Sequence, residues 1–199
     1  MITQGYLARH FQGRSGMRDP ALLDVAQDYA LKYLHDQGAF ELGIVLKGGT
    51  SLRKLRAGNA GRFSTDLDFA TPDMETAEFL LDTLDGAELF DVRFSLEERE
   101  ATRAKLIVDT PLGRPAIPAR VEISPRKLWL PIELSTPVEL AVHAGYEFTS
   151  PAIPAPALEE SLAEKLAAWR RRRKLRDSMT STSSVEALWR RRRYADCSS

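Results

Sequence analysis

Lys47–Phe69 carries the most informative pattern of the chain: KGGTSLRKLRAGNAGRFSTDLDF. A Gly-Gly pair followed by two hydroxyl residues opens a helix-like segment, and D-L-D then follows inside an apolar run. Along a strand, Asp66 and Asp68 would point to one face with their Cα atoms ~6.6 Å apart, and Leu67 and Phe69 would enter the core. Two carboxylates on one face repel each other unless a cation compensates them. The pattern therefore predicts that Asp66 and Asp68 hold Mg²⁺.

The Gly-Gly turn predicts a phosphate-binding element. Backbone N–H groups and hydroxyls gathered at the start of a helix bind phosphate, which makes Gly48, Gly49, Thr50 and Ser51 candidate nucleotide-binding residues. The strings of the common phosphate-binding loop and of the dinucleotide-binding fold are absent. A Gly-Gly pair alone is also typical of an ordinary tight turn, and D-x-D alone of solvated edge charges. Their succession favours a site in which one element holds a triphosphate and the next holds the metal.

A third carboxylate would complete a two-metal site for displacement at phosphorus. Glu122, in the run ARVEIS, is a lone acid between Val121 and Ile123 on a predicted strand. An edge-strand glutamate facing water is the alternative, and Asp109 is a rival at the end of another strand. Arg62, just before the D-x-D strand, either reaches a nucleotide phosphate or pairs with an aspartate.

Composition places the chain among soluble globular proteins. Its 199 residues are 43% hydrophobic and 28% charged. Residues 1–157 carry 17 Lys and Arg against 22 Asp and Glu, a net of −5, whereas residues 158–199 carry 11 against 6, a net of +5. The only cysteine is Cys197, and no long apolar run or signal-like start is present. We therefore expect a cytoplasmic protein with no membrane partner and a polyanion near the basic end.

Periodicity predicts the α+β class: a small mixed sheet flanked by helices, with a helical C-terminal part. We expect a core over residues 1–150, a stiff Pro-rich linker over 151–157 and a basic helical region over 158–199. Val138–Val142 is compatible with either a strand or a helix. The remaining predicted helices are 19–38, 50–56 and 74–84, and the predicted strands are 42–46, 65–70, 92–96, 104–108 and 120–123.

The C-terminal region combines an apolar helix face with arginine blocks. Leu158, Leu162, Leu166 and Trp169 recur at helical spacing, and the block Arg170–Arg173 follows. Four consecutive arginines suit an RNA backbone, because each guanidinium neutralises phosphate and stacks on bases; a solvated helix face is the alternative. The second block, Arg190–Arg193, has the same composition.

KGGTSLRKL followed by RFSTDLDF resembles the signature of the AbiEii-type nucleotidyltransferase toxins, which include the mycobacterial MenT proteins and belong to the DNA polymerase beta-like nucleotidyltransferase superfamily. The resemblance is weaker at A-E-K-L (Ala163–Leu166) and at Arg176-Asp177. It implies that Gly49 and Ser51 hold phosphate, that Lys165 contacts the triphosphate and that Asp177 is the late acidic residue of the site. Ser64 matches a position that is a phosphorylation site in relatives. On one straight helix, Lys165 and Asp177 would be ~18 Å apart, so either the helix breaks or their roles are separate.

The resemblance also implies an activity: Mg²⁺-dependent transfer of a nucleotide from an NTP, a pyrimidine such as CTP or UTP, to the 3′ end of tRNA, which blocks aminoacylation. The protein would be the toxin partner of an antitoxin protein. Two alternatives remain open from the residues alone. The acceptor is a protein hydroxyl or a small molecule, or the chain is a non-catalytic RNA-binding module.

Overall fold

The structure, a computed structural model, describes residues 3–12 and 15–172, except the side chains of 113–115, 171 and 172. Several residues named from the sequence lie outside this part of the chain. These are Asp177, the second arginine block, and the side chains of Arg171, Arg172 and Arg173.

The described residues form five α-helices and eight strands. Helix α3 continues as a wide π-helical turn over Arg53–Ala57 and a 3-10 turn over Gly58–Ala60, and further 3-10 turns cover Ala39–Leu42 and Ala141–Gly145. The helices are α1 (Gln4–Phe11), α2 (Arg18–Asp36), α3 (Gly48–Leu52), α4 (Met74–Leu84) and α5 (Leu158–Arg172). The strands are β1 (Val45–Lys47), β2 (Asp66–Thr71), β3 (Glu88–Leu89), β4 (Val92–Glu100), β5 (Arg103–Thr110), β6 (Gly113–Pro125), β7 (Glu133–Ser135) and β8 (Ile153–Ala155).

Six strands form one mixed sheet in the order β1-β2-β6-β5-β4-β3, and β7 and β8 form a separate antiparallel pair. Only β2 and β6 run parallel in the larger sheet; its other neighbours are antiparallel. Helices α2 and α4 contact the sheet. The α+β class with a small mixed sheet and a helical C-terminal part is therefore confirmed.

Strand β6 shows how the sequence divides the two faces of the sheet. Ile117, Val121 and Ile123 are buried, whereas Arg120 and Glu122 between them are exposed. Period-two alternation of apolar and polar residues is the pattern of a strand with one face in the core and one in water. The open face is the one that also carries the two aspartates of β2.

Helix α4 begins where the sequence predicted, at Met74, because Asp73 caps it. The Asp73 carboxylate accepts a hydrogen bond of 2.8 Å from the N–H of Thr76, and this lowers the pKa of Asp73. Leu80 and Leu84 are buried on its inner face. None of the helices in the described ranges is long and apolar enough to span a membrane.

Two segments differ from their predictions. Residues 42–46 were predicted as a strand, but a 3-10 turn ends at Leu42 and β1 starts only at Val45, because Gly43 turns the chain in the left-handed region. Ile153–Ala155, inside the predicted linker, forms β8, which pairs with β7 and contacts β1. Apolar residues of this Pro-rich segment are buried, so it packs rather than spans a gap. The division of the chain at 150 and 157 stays a prediction.

The ambiguous segment Val138–Val142 is neither a strand nor an α-helix. Its last two residues begin the 3-10 turn Ala141–Gly145, and the N–H of Val138 donates to the carbonyl oxygen of Lys54 at 2.8 Å. The segment is therefore attached to the chain that follows α3.

Candidate active site

The sheet brings the three predicted metal carboxylates to one place on its open face. Strands β2 and β6 are parallel neighbours, and their register sets Asp68 beside Glu122 and Asp66 beside Arg120. Residues opposite each other on neighbouring strands point to the same face. The rival, Asp109, is opposite Arg93 on β4, away from β2. The geometry therefore favours Glu122 as the third carboxylate.

Electrostatics sets Asp68 apart. Burial, together with the neighbouring charges of Glu122 and Asp66, raises the pKa of Asp68 to about 6, and Lys165 and Lys47 oppose this rise. A carboxylate whose charge is disfavoured in this way gains most from a bound cation. A cation bound at Asp68 would therefore compete with a proton.

The donor set fits a hard divalent cation. Three carboxylates on two adjacent strands supply oxygen ligands of the kind that Mg²⁺ takes. Within residues 3–12 and 15–172, no three His, Cys, Asp or Glu side chains converge on one point as they stand. Ion binding must therefore draw the side chains of Asp66, Asp68 and Glu122 inward.

Glycine is required at position 48 because the turn approaches the carboxylate of Asp68 closely. It adopts φ +75°, in the left-handed region, and a Cβ atom built on it would lie 1.8 Å from Oδ2 of Asp68. No side chain fits there without displacing that carboxylate. The glycine thus lets the backbone of the turn pass directly over Asp68.

Gly49 in the glycine turn lies close to two distant parts of the chain, the segment before β2 and helix α5. A Cβ atom on Gly49 would lie 2.8 Å from Oγ of Ser64 and 3.7 Å from Nζ of Lys165. Lys165, on α5, therefore reaches the glycine turn and acts electrostatically on Asp68. The structure brings together the turn, Ser64, Asp68 and Lys165.

The two hydroxyl residues after the glycines are buried. Thr50 is 1% exposed, and its Oγ1 donates a hydrogen bond of 2.5 Å to the carbonyl oxygen of Asp66. Its side chain therefore ties α3 to the start of β2. Ser51 is also buried. Phosphate binding by these two residues and by the turn stays a prediction.

Helix α5 is attached to the core through its glutamates. Glu164 accepts a hydrogen bond from Nζ of Lys47 at 3.0 Å and a second from Arg126. Glu160 accepts the backbone N–H groups of Trp129 and Leu130, at 3.0 and 2.9 Å respectively. Because Lys165 directly follows Glu164, these contacts set the place of its ammonium group.

Sequence reasoning missed two basic residues at the site. Lys47 is opposite Asp68 on β1, and Arg120 is opposite Asp66 on β6. Period-two spacing from Glu122 would have placed Arg120 on the same face. Arg62 is exposed in the loop just before β2, and its Nη1 donates to the carbonyl oxygen of Phe63 at 3.3 Å.

A mixed sheet with a glycine turn beside paired aspartates, and a lysine delivered by a C-terminal helix, defines the nucleotidyltransferase class of fold and site. The chain belongs to the family described as nucleotidyl transferase AbiEii toxin, type IV toxin–antitoxin system, whose match covers residues 32–179. The resemblance stated from the sequence is therefore confirmed.

Two solved structures are similar to this chain. MenT4, a nucleotidyltransferase toxin from Mycobacterium tuberculosis H37Rv, is 43% identical to this chain, with a TM-score of 0.78. The match covers 86% of this chain and 60% of MenT4, so the chain spans less than two thirds of that relative. JHP933 from Helicobacter pylori is 21% identical, with a TM-score of 0.43, over 84% of this chain and 59% of that protein. No curated protein sequence matches the chain.

Proposed function

We propose that the protein is a metal-dependent nucleotidyltransferase that moves a nucleoside monophosphate from a pyrimidine NTP, CTP or UTP, to the 3′ end of tRNA in the cytoplasm. The observation that carries the proposal is the meeting of the glycine turn, the carboxylates of Asp68 and Glu122, and the Lys165 ammonium group at one end of the sheet. These are the groups that phosphoryl transfer needs: a phosphate cradle, metal ligands and a cation.

The triphosphate would lie between the glycine turn and α5. Gly48 and Gly49 are half-buried, and Lys165 presents its ammonium group 3.7 Å from a Cβ position on Gly49. Arg62 and the start of α3 would add further donors. Ion pairing through Glu164 holds Lys47 beside the same phosphates.

Asp66, Asp68 and Glu122 would hold the metal. When bound, Mg²⁺ supplies the positive charge that offsets the charge developing on the phosphates. The 3′-oxygen of the acceptor forms a bond to the α-phosphorus, the bond from that phosphorus to the β-phosphate oxygen breaks, and pyrophosphate leaves. The hydroxyl proton passes to the carboxylate of Glu122, which is exposed on the acceptor side of Asp68.

Family membership supports a toxin role, with a cognate antitoxin protein as the second partner. One route of control is phosphorylation of Ser64. Its Oγ lies 2.8 Å from a Cβ position on Gly49, and the residue is buried. A phosphate there would occupy the place of the substrate phosphates and repel them, so it should inhibit. Asp177 and the block Arg170–Arg173 are proposed to complete the site and to hold RNA, respectively.

The test is label transfer. Purified protein, Mg²⁺ and total tRNA are incubated with each of the four radiolabelled NTPs in turn. Label on tRNA from CTP or UTP is expected. Label on protein instead would move the acceptor to a protein hydroxyl, and absence of both label transfer and NTP binding would support a non-catalytic module.

A matched pair of variants accompanies this assay. Asp68→Asn removes a metal carboxylate, whereas Asp109→Asn removes an exposed carboxylate at the other end of the sheet. Only the first should abolish transfer. Equal loss in both variants would contradict the assignment of the site.

A further inference from the structure

Beside the carboxylates, the open face of the sheet forms a cleft of about 740 Å³. It is lined by Asp66 and Glu122 at one end and continues over residues 103–105 of β5 and 118–121 of β6. Its basic side chains are Arg103, Lys105 and Arg120. The glycine turn and Lys165 do not line it, so this cleft lies on the side of the carboxylates away from the proposed triphosphate.

Arg120 is the informative residue in this cleft. Its guanidinium makes no hydrogen bond or ion pair within the part of the chain that the structure describes, although Asp66 and Lys105 are opposite it on the two neighbouring strands. The other arginines on β4 and β5 each hold a carboxylate: Arg93 holds Glu88, Arg99 holds Asp82, and Arg103 holds Glu100. An exposed guanidinium with five donors and no acceptor, on a cleft floor, suits an anion from outside the chain.

The register of the sheet gives the distance from this guanidinium to the chemistry. Arg120 is two residues from Glu122 on β6, which separates their Cα atoms by ~6.6 Å. Both side chains point into the cleft. A group bound by Arg120 would therefore lie close to the acceptor 3′-hydroxyl, which gives its proton to Glu122.

We infer that Arg120, with Lys105 and Arg103, forms the track that binds the phosphates of the acceptor RNA strand just before its 3′-hydroxyl. This inference rests on the proposed function and names the acceptor subsite for it. The cleft carries acids as well as bases, so it accepts a polyanion fully only when cations neutralise Asp66 and Glu122. RNA binding on this face should therefore strengthen when divalent metal is present.

Lys105 and Arg103 can bind the RNA strand although each forms an ion pair within the protein. Lys105 pairs with Glu97 at 2.8 Å, and Arg103 pairs with Glu100 at 2.8 Å, and all four side chains are more than one third exposed. Exposed pairs of this kind contribute little to stability and exchange partners readily. Arg120 would bind the phosphate nearest the 3′-hydroxyl. Lys105 and Arg103 would bind further phosphates of the RNA strand where it crosses β5.

The experiment measures binding of a fluorescent single-stranded RNA that ends in a 3′-hydroxyl, to the full chain with Mg²⁺ and without NTP. Arg120→Ala should weaken this binding ~10-fold or more, because it removes a charge-assisted contact to phosphate. It should also lower the slope of log affinity against log salt by ~0.7. Affinity for a fluorescent NTP should not change. Arg120→Lys, which keeps the charge, should recover part of the RNA affinity.

Arg93→Ala is the matched control. Arg93 is an exposed arginine on the same sheet, at the far end of β4, and it is paired with Glu88. It should leave RNA affinity unchanged. If Arg120→Ala binds RNA like the wild type, or loses NTP affinity instead, Arg120 does not bind the acceptor strand and the inference is wrong. Label transfer to tRNA by the wild type would still support the proposed function in that case. A wild type that binds NTP but neither binds RNA nor labels tRNA would remove both.

Discussion

Two groups of carboxylates in this molecule lie in opposite electrostatic situations. We call Asp24, Asp28, Arg53 and Lys54 the buried charge cluster. Here Arg53 binds Asp24 through Nε at 2.8 Å and Nη2 at 3.0 Å, and Lys54 binds Asp28 at 2.7 Å. At the candidate active site, Asp66, Asp68 and Glu122 lie on two neighbouring strands, and the charges of Lys165 and Lys47 do not offset burial and the like charges around Asp68.

The pKa values show the contrast. Burial on its own would raise the pKa of Asp24, but Lys54, His10 and Arg53 more than offset this, and the pKa lies well below its ordinary value. For Asp68, burial and two like charges outweigh the lysines, and the pKa rises to about 6. The chain neutralises Asp24 with its own side chains and leaves the charge of Asp68 uncompensated. The first group supports the site, because Arg53 also donates to the carbonyl oxygens of Gly58 and Gly61 in the loop that leads to β2.

The largest expected effect comes from breaking the buried charge cluster. Asp24→Asn leaves Arg53 and Lys54 buried with too little negative charge, which should lower the free energy of unfolding by ~3–5 kcal/mol. Asp36→Asn is the control, since Asp36 is exposed on the same helix and pairs only with solvent-facing side chains. Urea unfolding measures both. An equal loss of unfolding free energy in the two variants would show that the buried charge cluster contributes no more to stability than a surface ion pair.

Neutralising Asp68 should have the opposite effect on stability. Because folding raises its pKa from 3.8 to about 6, the native state binds more protons than the unfolded state between these values, and stability falls as pH rises through this window. In chelator-treated protein, Asp68→Asn should therefore be more stable than the wild type at pH 8, by up to ~3 kcal/mol, and equal to it near pH 3. Transfer activity should fall ~10³-fold. A variant that is less stable at pH 8 would contradict the assignment of Asp68 as an uncompensated charge.

Substitution of Gly48 tests the closeness of the turn to the carboxylates. In Gly48→Ala the new methyl group would overlap the Asp68 carboxylate, and alanine is strained at φ +75°. We expect a loss of ~2 kcal/mol in stability and weaker metal binding. Gly86→Ala is the control, because Gly86 has φ +77° and open space around it. Gly86→Ala therefore measures the cost of backbone strain alone. Calorimetric titration with Mn²⁺ should show weaker binding for Gly48→Ala and unchanged binding for Gly86→Ala.

Metal affinity should depend on pH with a defined direction. A cation must displace the proton of Asp68, so affinity should be nearly constant above pH 7 and should fall by ~1.4 kcal/mol per pH unit below about pH 6. Titration calorimetry from pH 5 to pH 8 measures this. The same affinity at pH 5 and pH 8 would mean that Asp68 is not a ligand.

The smallest effect is expected from the contact that attaches α5. Glu164→Gln weakens the pairs with Lys47 and Arg126, both partly exposed, and should cost ~1 kcal/mol or less. Because Lys165 follows it, the KM for NTP should rise more than kcat changes. Glu159→Gln, on the exposed side of the same helix, is the control. An unchanged KM in Glu164→Gln would show that the contact does not position Lys165.

The parts of the fold that the sequence predicted are those with local signals. Alternation placed Asp66 and Asp68 on one face, and the predicted helix 74–84 has the bounds of α4. Glu122 was identified by its place between two apolar residues. The buried charge cluster was missed, because the apolar stripe of α2 gives no sign that Asp24 and Asp28 on the same helix are buried against residues 53 and 54. Such pairing depends on tertiary contacts that periodicity does not contain.

The errors have equally physical causes. Proline at 151, 154 and 156 favours an extended chain, and an extended chain is as suitable for an edge strand such as β8 as for a linker. Residues 42–46 were predicted as a strand because they are apolar, but the left-handed turn at Gly43 delays the start of β1 to Val45. The roles of the site residues themselves stay predictions until the variants above are measured.

The ion pair between Lys47 and Glu164 joins residues that are 117 positions apart. During synthesis, the ribosome makes the glycine turn and the aspartates first and Lys165 some 10 s later, at ~5–20 residues per second. The candidate active site is therefore incomplete until α5 has been made. We expect that a nascent chain stalled before α5 emerges does not retain labelled NTP, whereas the full chain does, and retention by the stalled chain would contradict this. The order of synthesis would then delay nucleotide binding until the last described helix has joined the sheet.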